Sequence, residues 1–310
     1  MKNYIAHIHY AKYLTFEEKL AYIGLGFLEP FYSLAVKLRL FAFKKGLKKS
    51  TKVGAYVVSI GNITTGGTGK TPVCVAIANY FSENKNKKTA ILSRGYGGKL
   101  ANSQVNTISD GENIFFSAHM SGDEPYWLAY NAQKTAVLTC KNRIEAANVA
   151  INEQKAEVLI LDDGFQHLKL QRDFNIMLID GNLKFGNGRL LPQGPLREPI
   201  SEISRADCIL IMNKRALDKN AIENCENFAK EIENKYNCTV YAVTHEYTDF
   251  GELYDLLIVT DYPEEWEQSL YSDGKAFYAF AYVWNKSDDW CSEFGTIGVN
   301  SLGGGIRRIA

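Results

Sequence analysis

The segment Gly66-Gly67-Thr68-Gly69-Lys70-Thr71 carries the clearest chemistry in the chain. It follows the apolar run AYVVSI (55–60) and precedes a stretch of helical pattern, the strand–turn–helix setting that a phosphate-binding loop requires. Glycines there let backbone N–H groups turn onto phosphate oxygens, and a helix N-terminus adds partial positive charge at the same place. Lys70 is expected to reach the β- and γ-phosphates of a nucleotide, and the Thr71 hydroxyl to take a place on Mg²⁺. The usual pattern begins with glycine at position 64, where this chain has Thr64.

A second set of residues suits a metal and a proton. EVLILDDGFQH (157–167) is an apolar run ending in Asp162 and Asp163, where a strand end beside the loop would place a magnesium carboxylate. In SGDEPYWLA (121–129), Asp123 has two readings: a helix N-cap with Pro125 in the first turn, or a base that takes a proton from an attacking hydroxyl. His167 is either a partner of the metal carboxylates or a strand-end hydrogen-bonding residue. Arg94 in SRGYGG and Arg143 in KNR have the geometry to contact phosphate, although single arginines are more often surface residues.

The elements that must position these residues are legible as pattern. Apolar runs at 55–60, 89–93, 136–139, 157–162, 175–180, 208–212 and 239–243 read as buried strands; 71–83, 124–133, 141–155 and 219–236 read as helices. Such alternation predicts an α/β fold of the P-loop NTPase type, with a mostly parallel sheet covered by helices. Residues 181–199, rich in Gly, Pro and Asn, read as a long functional loop. Ahead of the core, residues 16–50 read as an amphipathic helix with Leu34, Leu38, Phe41 and Leu47 at helical spacing. Seven basic residues and no acidic one lie from Lys37 to Lys52. That pattern suits either an anionic membrane surface or an ordinary core-packed helix. The expected division is 1–50, a membrane-interface segment; 51–205, the P-loop core; and 206–310, a smaller α/β part, atypical beyond about 247.

Composition narrows the class. The 310 residues are 46% hydrophobic and 23% charged, as expected of a folded protein, and the net charge is zero, which gives no support to nucleic-acid binding. Six cysteines without a Cys-x-x-Cys pair favour a reducing compartment over a zinc site or disulfide framework. No signal-peptide layout and no transmembrane run are read. A GTPase would want Asn-Lys-x-Asp; Asn213 and Lys214 begin it, but the next aspartate is Asp218.

In order and spacing, GNITTGGTGKTP, SRGYGG, SGDEP, CKNR, ILDDGFQH and GRLLPQGPLREP resemble the tetraacyldisaccharide 4'-kinases of lipid A biosynthesis, over roughly residues 15–215. The resemblance implies phosphorylation of the 4'-hydroxyl of an acylated glucosamine disaccharide 1-phosphate with ATP and Mg²⁺. It also implies a peripheral enzyme on the cytoplasmic face of the bacterial inner membrane, with no obligate protein partner. It implies that Asp123 is the general base, and that Lys70, Thr71, Asp162 and Asp163 handle MgATP. Arg197 and Glu198, with Arg94, fall at the substrate or phosphate site. Thr64 is shared by that family. The Asp-His-His and Thr-Thr-Glu-Lys-Asp blocks expected later are missing, and only His245 follows His167. The C-terminal part is therefore atypical or truncated, and loss of a histidine partner would leave Asp123 less well oriented. The alternatives are a P-loop ATPase switch and a catalytically impaired family member.

Overall fold

The computed structural model describes residues 2–11, 13–101, 103–214, 218–248, 254–259, 276–278 and 297–299. The chain divides into two compact units: Met1–Ile179 with Leu183–Asp207, and Asp180–Asn182 with Cys208–Ala310.

The first unit opens with three helices, α1 (Lys2–Tyr10), α2 (Phe16–Gly26) and α3 (Glu29–Lys44). Sequence pattern suggested one helix across 16–50; the break falls where Pro30, in the first turn of α3, has no N–H to continue α2. Helix α2 starts on a capping box, with Thr15 and Glu18 each accepting from the other's backbone N–H. Many of the large apolar side chains along α2 and α3 face away from the core. Phe16, Leu20 and Ile23 on α2, Phe27 at its C-cap, and Phe31, Leu34, Leu38 and Phe41 on α3 are all exposed, whereas Val36 is the apolar residue of the two helices that is buried. The core-packed alternative therefore does not describe them.

Then follow β1 (Tyr56–Gly61), α4 (Lys70–Asn79), β2 (Thr89–Ser93), β3 (Asn106–Ser109), α5 (Ala118–Ser121), α6 (Asp123–Asn131), β4 (Thr135–Thr139), α7 (Arg143–Asn152), β5 (Val158–Asp162) and β6 (Phe174–Asp180). Strand order is β3-β4-β2-β5-β1-β6, parallel except for β3, which runs antiparallel to β4 at the edge. Five-residue strands such as VLILD are buried throughout, as expected of a parallel sheet covered on both faces. Small residues on α7, Ala146, Ala147 and Ala150, pack on Leu92, Leu138, Leu159 and Leu161.

The central position of β5, between β1 and β2, determines the site. Ile60 at the end of β1 is in register with Asp162, so the carboxylate emerges beside the loop that β1 feeds.

In the second unit, β7 (Cys208–Asn213) pairs in parallel with β8 (Thr239–Thr248), which pairs antiparallel with β9 (Tyr254–Val259). Helix α8 (Lys219–Tyr236) intervenes, capped by Asp218 and burying Ile222, Cys225, Phe228 and Ile232. Two short strands, β10 (Ala276–Tyr278) and β11 (Ile297–Val299), pair antiparallel. Most of the weakly patterned stretch after Tyr247, including most of KAFYAFAYVWN and the terminal GGGIRRIA, lies outside the described residues.

Candidate active site

The loop after β1 turns sharply onto α4. Gly66 has φ 113° and Gly69, the N-cap, φ 82°, conformations that side chains strain to adopt. A Cβ at Gly66 or Gly67 would meet nothing within 4 Å, so the backbone there faces open space. Thr68 is buried, and its hydroxyl has no hydrogen-bond partner among the described residues. Lys70 reaches back over the loop, its Nζ 3.4 Å from Asn62 Oδ1 and 3.5 Å from Asp163 Oδ1.

The two aspartates have different surroundings. Asp162 is 3% exposed and accepts from the Ser93 hydroxyl (3.2 Å), with the Cys74 thiol at 3.6 Å. Burial, then the charges of Glu124 and Asp163, push its pKa up to about 6, against the pull of Lys70 and Arg143. Asp163, in a left-handed turn at φ 50°, accepts from Arg197 Nη1 at 2.9 and 3.1 Å. Burial raises its pKa, but Lys70 and Arg197 together outweigh burial and hold it below the ordinary value. A carboxylate that is costly to ionise and one kept ionised thus stand side by side.

Arg197 reaches this place through the 181–199 loop. Its N–H donates to Ile63 O (2.7 Å), Thr65 N–H donates to Pro195 O (2.7 Å), and Tyr32 of α3 donates to Arg197 O (3.0 Å). Tyr10 of α1 donates to Thr65 O (2.8 Å), so the N-terminal helices hold the phosphate-loop region directly.

The motifs SRGYGG and SGDEP meet by close backbone approach. A Cβ at Gly122 would lie 2.5 Å from Tyr96 O, and one at Gly98 2.5 Å from Ser121 O. Arg94 stacks on Tyr96, its guanidinium carbon 4.8 Å from the ring centre. Gly122, not Asp123, is the N-cap of α6, so the capping reading of Asp123 fails. Asp123 stands in the first turn, exposed, its side chain in no hydrogen bond or ion pair among the described residues.

A cavity of about 1430 Å³ joins much of this: Lys70, Arg94, Asp162, Asp163 and Arg197 line it, together with Glu124, Arg143, Gln166 and His167. Asp123, Thr71 and Glu198 do not line it. Glu198 is 1% exposed and is held by Arg205, with Arg39 at 3.9 Å. Its position is that of a buried structural partner. Arg143 is also buried, donating to Cys140 O and Asp162 O; burial lowers its pKa to about 10, which leaves it charged. Burial and nearby cations push His167 down to about 4. Glu124, which no sequence motif singles out, accepts from the Thr71 hydroxyl at 2.8 Å, and its charge raises the pKa of Asp162. The only available signal was its place beside Asp123.

The loop backbone and Lys70 have the chemistry to hold a polyphosphate, and Asp162 and Asp163 that of carboxylate ligands to a divalent cation. A sequence model of the tetraacyldisaccharide-1-P 4'-kinases (LpxK) matches residues 22–260. The chain belongs to that family. It is 37% identical over 227 residues to the tetraacyldisaccharide 4'-kinase of Halothermothrix orenii, covering 73% of this chain and 58% of the relative. Similarity to the one from Desulfotalea psychrophila is 37% over 241 residues, covering 77% and 67%. The chain thus spans little more than half the length of the first of these. Among solved structures, it is similar to the "apo" form of LpxK from Aquifex aeolicus in complex with ATP, with a TM-score of 0.60 and 30% identity over 74% of this chain and 66% of that one. The P-loop α/β architecture read from the sequence is shared with that family member.

Proposed function

We propose that the protein transfers the γ-phosphoryl group of ATP to the 4'-hydroxyl of a tetraacyl glucosamine disaccharide 1-phosphate, a step of lipid A biosynthesis. The observation that carries this is the convergence of Lys70, Asp162, Asp163 and Arg197 on the glycine loop of a member of this kinase family.

The residues fit a magnesium nucleotide. Open space over Gly66 and Gly67 and the partnerless Thr68 hydroxyl leave room and a donor for phosphate oxygens. Among the described residues no three His, Cys, Asp or Glu side chains form a metal site by themselves. Magnesium commonly takes one or two carboxylates and completes its shell with substrate phosphates and water, so Thr71, Asp162 and Asp163 suffice as protein ligands. When bound, Mg²⁺ neutralises charge on the β- and γ-phosphates.

Lys70 and the loop backbone of Gly66–Gly69 orient the phosphates, and Lys70 compensates their charge. Arg197, now paired with Asp163, lies where it can exchange that partner for a phosphate oxygen. Arg94 binds the acceptor side of the cavity. Asp123 accepts the proton of the sugar hydroxyl, aided by its position beside Glu124 in the first turn of α6.

The exposed apolar faces of α2 and α3, with the basic run after Lys37, dock the protein on the cytoplasmic face of the bacterial inner membrane as a peripheral enzyme. No helix among the described residues is long and apolar enough to cross it. Residues 1–50 then act as the interface segment, 51–205 as the kinase core and 206–310 as the smaller part.

The test is transfer from labelled ATP onto tetraacyldisaccharide 1-phosphate in detergent micelles. Labelled lipid supports the kinase reading; lipid-independent ATP hydrolysis supports a switch; neither product supports an impaired family member.

A further inference from the structure

Asp162 is held by two neutral donors, one on each carboxylate oxygen. The Ser93 hydroxyl donates to Oδ2 (3.2 Å) and the Cys74 thiol to Oδ1 (3.6 Å). Strand β2 pairs in parallel with β5, with Leu92 opposite Leu161, so Ser93 and Asp162 follow as neighbours at the two strand ends. Cys74 lies four residues after Lys70 on α4, on the same helix face as the phosphate-loop lysine. Ser93 is 3% exposed and Cys74 is fully buried. The three residues before Ser93, Ala90, Ile91 and Leu92, are apolar and buried, and a hydroxyl at the end of such a run costs free energy unless it is bonded. Its bond to Asp162 offsets that cost.

The arrangement suits a carboxylate that must be aimed. The terminal torsion of an aspartate has a broad minimum, so an unheld carboxylate turns about it, and one donor on each oxygen fixes its plane. A carboxylate has about four lone-pair sites; two neutral donors leave the remainder for a cation or its water. Magnesium tolerates little departure from octahedral geometry, so the aim of each protein ligand matters. Asp163 is held differently, by the cations Lys70 and Arg197, which a divalent cation would repel. Ser93 and Cys74 carry no charge and need not give way.

We infer that Ser93 and Cys74 are positioning residues, which fix the carboxylate plane of Asp162 and through it set the affinity for the divalent cation of the nucleotide. This rests on the reading of Asp162 as a magnesium carboxylate. A thiol is the weaker donor, so Ser93 contributes more than Cys74.

The test uses the full chain with a non-hydrolysable ATP analogue and Mn²⁺, which takes the same oxygen ligands as Mg²⁺ and is read by electron paramagnetic resonance. Ser93→Ala should weaken Mn²⁺ binding by about 10–100-fold, the range for residues that orient a metal ligand, and Cys74→Ala by less. Ser93→Thr and Cys74→Ser, which keep a donor, should recover most of each loss. Affinity for fluorescent ATP in excess chelator should be the same in all of these proteins. Unchanged Mn²⁺ binding in Ser93→Ala would overturn the inference. So would a parallel loss of metal-free ATP binding, the mark of a site that has merely loosened, or a Ser93→Thr variant as impaired as Ser93→Ala. Asp162→Asn separates the two readings. If it leaves Mn²⁺ binding intact, the carboxylate reading falls and this inference with it. If it abolishes binding that Ser93→Ala does not alter, the inference alone falls.

Discussion

Replacing Asp162 with asparagine should make the nucleotide-free protein more stable while abolishing its use of MgATP. In the folded chain this carboxyl titrates near pH 6, against 3.8 for the unperturbed group. A shift of about 2 units at roughly 1.4 kcal/mol per unit corresponds to about 3 kcal/mol. The folded state holds the proton more tightly than the unfolded one, so this group's cost is absent below pH 4, grows as pH rises, and is complete above about pH 7. Asparagine preserves the shape and an acceptor for Ser93 and removes the charge that burial and Glu124 disfavour. Urea unfolding of the two proteins without nucleotide, at several pH values from 4.5 to 8, reads the difference directly. Asp162→Asn should be more stable by about 2–3 kcal/mol at pH 8, with the advantage shrinking through pH 6. MgATP should stabilise the wild type and leave the variant unchanged, because ligand binding to the folded state alone raises stability. A variant less stable than wild type at pH 8, or a difference independent of pH, would refute the reasoning.

Gly66→Val should lose nucleotide binding in a fluorescent-ATP titration, because a β-branched residue cannot take φ 113° without rearranging the loop. Asp123→Ala should lower kcat by about 10²–10⁴-fold with little change in nucleotide affinity, read by steady-state kinetics at saturating lipid. Phe27→Ser with Phe31→Ser should weaken vesicle flotation by roughly tenfold or more per residue, since burying a large apolar side chain stabilises by about 1.5–3 kcal/mol. Thermal stability in detergent-free buffer should scarcely move, because both side chains are exposed in the folded protein.

What the sequence made legible follows the strength of its local signals. The uninterrupted apolar runs at β1, β2 and β5 left little choice but buried parallel strands, and the glycine loop between β1 and α4 identified itself by residue type. Strand β3, reading Asn-Thr-Ile-Ser at a sheet edge, has no apolar run to betray it and emerges only from its pairing with β4. Asp123 is a good capping residue by type, but the positive-φ Gly122 and its close approach to Tyr96 fix the cap one residue earlier. The Arg197–Asp163 pair spans 34 residues and depends on the 181–199 loop folding back onto Ile63 and Thr65, which no periodicity reports. Glu198 shows the limit of inference by position. It is adjacent to Arg197 in sequence, yet its carboxylate points into a buried network with Arg205.

We propose that ATP held at the glycine loop and its carboxylates gives its γ-phosphoryl group to a lipid-linked sugar. This is tested most directly by incubating the full chain with γ-labelled ATP, Mg²⁺ and tetraacyldisaccharide 1-phosphate in micelles, beside Lys70→Ala. The wild-type chain should place label on the lipid at the 4' position, and the variant should place none. Label released only as inorganic phosphate, or lipid labelling that survives Lys70→Ala, would contradict it.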